Sequence, residues 1–144
     1  MTRRPAPMLA VALVAAAAAC SDNLADARAR ADVEALAKIE GVGLEKVTAR
    51  VAAHGRRAIL HVETALHDAS VEGRLNLIAA LRRIGDAEAI PLLEHRALRD
   101  EDERVRVEAE FTLRKWLTGE GARAAAARRA LRRIEEARRD ESGG

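Results

Sequence analysis

The sequence predicts an all-α fold of stacked helix pairs, a short α-solenoid, and three observations carry that prediction. Apolar residues recur at spacings of three and four through the middle of the chain, as in Leu77, Ala80, Leu81 and Ile84, which places them on one face of a helix. The chain also matches itself at a fixed offset: Ala65-Leu66 recurs at Ala97-Leu98, Asp68 at Asp100, Arg74 at Arg106, Leu81 at Leu113 and Ile84 at Trp116, each 32 residues on. A period of that length made of two helices is a solenoid repeat, because neither pair can close its apolar face without a neighbour. Finally, of 30 Leu, Ile, Val, Phe, Trp and Met residues from Cys20 onward, 20 lie between Ile59 and Leu117, so the core must sit there.

The elements follow in order. Leu24, Val33, Leu36 and Ile39 suggest a helix with Asp26 and Arg30 at pairing distance, broken by Glu40-Gly41-Val42-Gly43. Leu44, Val47 and Val51 start a second helix that ends near His54-Gly55. The helix through Leu77 and Leu81 stops at Gly85. Asp86 is placed to cap the next, whose apolar positions are Ala89, Ile90, Leu93 and Ala97. After an acidic break at Asp100 to Glu103, Val105, Ala109, Thr112, Leu113 and Trp116 share a further helix face. The alanine- and arginine-rich stretch from Glu120 to Asp140 is helical on propensity and is expected to cap the open end, with either a solvated or an anionic-lipid-binding outer face.

The segments Gly85-Asp86-x-x-Ala89-Ile90-Pro91-x-Leu93, Ala97-Leu98-x-Asp100 and Val105-Arg106-x-x-Ala109-x-x-x-Leu113 resemble the HEAT-like repeat family in its short bacterial form. The resemblance covers residues 55–117 and implies a short right-handed α-solenoid of antiparallel helix pairs. It implies that Pro91 kinks its helix and that Asp100 and Arg106 order the turn between helices. The upstream copy departs from the family at Gly73, where Val is favoured; that glycine is expected to weaken its helix by roughly 1 kcal/mol relative to Ala.

The amino terminus is expected to lie outside the fold. Arg3 and Arg4 form a basic start, Met8 to Ala19 are apolar, and Ala17-Ala18-Ala19 precede the only cysteine, Cys20. This pattern is similar to a bacterial lipoprotein signal, which implies lipidation of Cys20 and anchoring in the cell envelope, on the periplasmic side of the inner or outer membrane. Ala17 stands where that family prefers Leu; the alternative is an ordinary secretory peptide and export to the periplasm. A lone cysteine permits no internal disulfide. The organisation expected is therefore a cleaved signal peptide at 1–19, a tether at 20–23, a helical pair at 24–54, two HEAT-like repeats at 55–117, a capping helix at 118–140 and a disordered tail at 141–144. Loss of Arg3 and Arg4 takes Lys plus Arg from 25 to 23, level with the 23 acids, which weakens any case for a polyanionic partner.

Catalytic, cofactor and metal signatures do not emerge from the spacing. The histidines at 54, 61, 67 and 95 are scattered, Asp100 to Glu103 lacks the glycine and distal glutamate of a calcium loop, and no nucleophile elbow or phosphate loop occurs. The segment Leu36-x-x-Ile39-x-Gly41-Val42-Gly43-x-x-x-Val47 resembles a helix-hairpin-helix motif, implying backbone amides offered to a nucleic-acid phosphate, although Glu40 and Glu45 flank it. The sharper candidate lies opposite the predicted core stripe: Val107, Phe111, Arg114 and Lys115, matched one repeat earlier by Leu75, Ala79, Arg82 and Arg83. An apolar pair beside a basic doublet suits an amphipathic or acidic peptide; the same residues also suit helix-end electrostatics and packing of Phe111 under the last helix. The expected function is a non-enzymatic adaptor for another envelope protein, with nucleic-acid binding or an accessory role to an envelope enzyme as alternatives.

Overall fold

The computed structural model describes the backbone of residues 8–144 and the side chains of residues 18–144, so the basic start at Arg3 and Arg4 lies outside the described residues. Among the described residues the fold is all-α: α1 (Met8–Lys38), α2 (Leu44–Ala53), α3 (Arg56–Asp68), α4 (Val71–Ile84), a single 3-10 turn (Ala87–Ala89), α5 (Ile90–Arg99), α6 (Glu103–Lys115) and α7 (Ala122–Ser142), with no strand.

Helix starts follow local hydrogen-bond chemistry. Ser70 accepts from the Gly73 amide at 3.1 Å and begins α4, and Asp102 accepts from the Arg104 amide at 2.8 Å and begins α6. Asp86 accepts from the Glu88 amide at 2.9 Å, so it caps the 3-10 turn that leads into α5. Pro91 does not kink that helix. It occupies the first turn of α5, where its missing N–H leaves no intrahelical bond unmade.

Residues 20–23, expected as a tether, are helical and continuous with the rest of α1. Alanines flank this stretch on both sides, neither glycine nor proline interrupts it, and Arg57 of α3 fixes Asp22 through its carbonyl at 3.0 Å and its carboxylate at 3.5 Å. At the other end α7 continues to Ser142, and Glu141 pairs with Arg99 at 3.3 Å, so the expected tail shortens to the last two glycines.

Ion pairs fix the helix directions. Asp22–Arg57 and Asp26–His61 join α1 to α3 with both numbers rising together, so the two helices run side by side in the same sense. Glu72–Arg104 and Arg82–Glu108 do the same for α4 and α6; Glu94–Arg133 and Arg99–Glu141 do so for α5 and α7. The most extensive packing is α5 on α6, followed by α1 on α3 and α2 on α4. Asp26 thus serves α3 rather than the expected partner Arg30.

One aliphatic core joins these helices, from Val33 and Leu36 on α1 to Leu131 and Ile134 on α7. Leu81, Leu93, Leu113 and Trp116 all belong to it, as the periodicity requires. Leu24 departs from its expected stripe and stands 53% exposed. Alanines at 124, 127 and 130 let α7 approach α5 and α6 closely.

The turn between α5 and α6 is organised by a buried ion cluster. Arg74 Nη2 donates to Asp100 Oδ1 at 3.1 Å, Arg96 Nη1 donates to Asp100 Oδ2 at 3.3 Å, and the Asp102 amide donates to Asp100 Oδ1 at 3.1 Å. Arg106 Nη1 donates to the carbonyls of Asp100 and Glu101 at 2.8 and 3.1 Å. Arg74 and Asp100 are 6% and 5% exposed, so truncating either strands a charge in the interior.

Gly73 has a different role from a mere weak point in α4. A Cβ there would lie 2.2 Å from the carbonyl oxygen of Ala37, so the glycine lets the end of α1 press onto α4. Gly73→Ala, which helix propensity alone would make stabilising, is expected to destabilise by about 1–3 kcal/mol in thermal or urea unfolding. Asp100→Ala should cost about 3–5 kcal/mol in the same assay, with helix content retained at low temperature.

Candidate functional site

The outward sides of α4 and α6 carry the residues singled out from the sequence, and the structure separates them by environment. Val107 and Phe111, one turn apart on α6, are 58% and 43% exposed. Leu75 and Ala79 on α4 are half-buried, and Leu75 packs against the core. The apolar pair expected on each repeat is therefore an outward ridge only on α6. Phe111 does not slide under α7; the guanidinium of Arg82 lies 5.5 Å from its ring centroid and the ammonium of Lys115 lies 5.2 Å away. Cations over an aromatic face hold the ring at about 0.5–1 kcal/mol each at an exposed position.

Three of the four residues of the basic doublets already have acidic partners. Arg82 pairs with Glu108, Arg83 with Glu45 of α2, and Arg114 with Glu110 at 2.5 Å. Glu110 also receives Arg138 of α7 at 2.7 Å. Burial pushes the Glu110 carboxyl up, but hydrogen bonds from Arg114 and Arg138 outweigh it and hold the group below its ordinary range. What this surface offers is an apolar two-residue ridge with cations already turned onto the ring, rather than a field of unpaired positive charge. The i,i+4 spacing of Glu110 and Arg114 was legible in the sequence; Glu45, Glu108 and Arg138 are brought in only by tertiary packing.

Two of the four histidines join helices. His61 Nε2 lies 2.8 Å from Asp26 Oδ1 and His54 Nε2 lies 2.8 Å from Asp32 Oδ2, with Arg50 Nε donating to the second oxygen of Asp32 at 3.0 Å. The His61 hydrogen bond holds Asp26 below its ordinary value. For Asp32, burial raises the carboxyl, and bonds from His54 and Arg50 bring it down further than burial lifts it. His67 and His95 flank a shallow groove between α3 and α5 with Glu63. Among the described residues no three His, Cys, Asp or Glu side chains converge as a metal site would require.

The turn between α1 and α2 has Gly43 at φ +95°, a left-handed conformation that leads straight into the first turn of α2, and Val42 stands 98% exposed beside it. Glu45, next to this turn, is engaged by Arg83. A wider open groove of about 660 Å³ runs between α1, α3 and the start of α4, over a floor of Val33, Ala37, Ala65 and Ala69. Arg30 and Lys38 on its rim face Glu34 and Asp68, so charge is balanced there.

No family model matches this chain, and neither does any curated protein or solved structure. Cys20 is exposed, with a free thiol. No helix among the described residues is long and apolar enough to cross a membrane.

The depressed carboxylates set the acid response. A carboxyl whose folded value lies below its ordinary 3.8 for Asp32, or 4.5 for Glu110, adds stability at pH above that ordinary value and loses it as pH falls through the lower folded one. The melting temperature should hold from neutrality to about pH 5 and fall steeply below about pH 4. Asp32→Asn is expected to lower the neutral-pH value and shrink the acid loss, as followed by circular dichroism.

Proposed function

We propose that this chain is a non-catalytic adaptor of the bacterial cell envelope. In this reading it is a short right-handed α-solenoid of the HEAT-like kind, released from a signal peptide ending at residue 19 and anchored by acyl chains on Cys20. It holds another envelope protein or peptide on the outer side of α6.

The solenoid reading is supported by alternate helices that pair in the same sense at separations close to the internal repeat: 35 residues for Asp22–Arg57, 32 for Glu72–Arg104 and 39 for Glu94–Arg133. Stacking of like on like produces such a ladder. The anchor reading is supported by the sequence pattern around Cys20 and by its exposure. Acyl chains contribute about 0.8 kcal/mol per buried methylene, and two or more are needed for stable attachment.

The observation that carries the binding surface is the pair Val107 and Phe111, large apolar side chains left open on an otherwise charged helix. An aromatic ring held in place by Arg82 and Lys115 gives up little side-chain freedom when a partner covers it. The preferred partner presents an apolar side chain to the ring, with charge of either sign at its edges, since most of the surrounding arginines are already paired.

Phe111→Ala together with Val107→Ser should leave the fold intact at a cost of about 1–2 kcal/mol, the loss of the two cation contacts on the ring. The double variant is expected to lose about 2 kcal/mol of partner affinity, roughly a thirty-fold weakening, seen as loss of specific crosslinks in intact cells. An unchanged set of crosslinked proteins would rule this surface out. Cys20→Ser should abolish acyl-chain labelling and release the protein from the membrane fraction.

A further inference from the structure

Glu103, Val107, Phe111 and Lys115 follow one another at every fourth position of α6, and all four are exposed. Successive members lie about 6 Å apart along the axis and about 40° around it, so they form one inclined ridge about 18 Å long. Its order is acid, aliphatic, aromatic, base.

The two ends of this ridge are the unspent charges of the helix. Arg104, Glu108, Glu110 and Arg114 are each held in an ion pair within the chain, and Arg106 donates to the carbonyls of its own turn. Glu103 and Lys115 join no ion pair among the described residues; the ammonium of Lys115 rests 5.2 Å from the centroid of the Phe111 ring. A partner that fits must therefore bring a base to one end, an acid to the other, and apolar side chains between them.

The ridge itself meets that requirement when turned end for end. Glu103 with Lys115 and Val107 with Phe111 are both centred on Ala109, so one two-fold axis there satisfies all four contacts in a single register. A parallel pairing would set like charge on like at both ends. Rows inclined in this way and laid side by side set their helix axes at about 50°, the commonest crossing between packed helices.

We infer, on the reading that the outer side of α6 is a binding surface, that a second copy of this chain occupies it in antiparallel fashion. The second copy's Val107 covers the Phe111 ring, and its Glu103 and Lys115 neutralise Lys115 and Glu103. A ridge of four residues makes a small interface, of the size that supports weak and reversible association, so another partner can displace the copy.

The test uses the full chain with Cys20→Ser, which blocks acylation and intermolecular disulfides. Sedimentation equilibrium should show a monomer–dimer equilibrium, and circular dichroism melting checks that each variant folds. Phe111→Ala, Glu103→Lys and Lys115→Glu should each weaken the dimer at least about ten-fold, because symmetry applies each change at two contacts. Glu103→Lys and Lys115→Glu together rebuild the ridge with its polarity reversed, and should return the affinity to within about three-fold of the parent. A chain that stays monomeric would overturn the second copy as occupant and leave the ridge to the crosslinking test in cells, where an unchanged set of partners would remove the surface itself. A dimer indifferent to Phe111→Ala, or one that the combined charge exchange fails to restore, would place association elsewhere and overturn the pairing.

Discussion

The buried carboxylate of Asp100 is the constraint around which the molecule is arranged. It takes hydrogen bonds from Arg74 of α4, from Arg96 one turn back on its own helix, and from the backbone of its own turn. A charge so deep is costly unless every lone pair is met, and meeting them fixes the relative position of α4, α5 and α6 at once. The aliphatic seam supplies most of the burial, yet leucines and alanines would tolerate sliding by a fraction of a turn. The ion cluster does not. Gly73, one residue before Arg74, extends the same constraint upstream by letting α1 close onto α4.

Around that centre the helices are joined by long-range ion pairs, mostly at partly exposed positions. Individually such pairs contribute little, about 0–1 kcal/mol. Their effect here is to define register: α1 and α3, α4 and α6, and α5 and α7 each carry opposite charges at matching heights. The outward ridge at Phe111 follows from this, because Arg82 is held by Glu108 in a position from which its guanidinium also covers the ring.

Much of the helix pattern could be read from the sequence, and the reason is periodicity. Leu77 with Leu81 and Leu113 with Trp116 recur at helical spacing, and Leu81 and Ile84 match Leu113 and Trp116 at the internal offset of 32, so helix faces and core membership are visible in the sequence. Three features were not. Gly73 looks like a defect when only propensity is considered, since the close carbonyl belongs to a residue far upstream. Residues 20–23 look like a polar tether because Ser21, Asp22 and Asn23 are poor helix formers, and only the presence of Arg57 across the groove turns Asp22 into a docking point. The basic doublets look like unpaired charge because their partners Glu45 and Glu108 come from neighbouring helices. All three depend on contacts between elements, which spacing within one element cannot encode.

The last helix has two chemically distinct sides. Its inner side is lined with alanine plus Leu131 and Ile134, while Arg128, Arg129, Arg132, Glu135 and Glu136 occupy its outer side. With charge on that outer side and its large apolar residues turned inward, α7 leaves no apolar stripe open and seals the aliphatic core on its side of the fold.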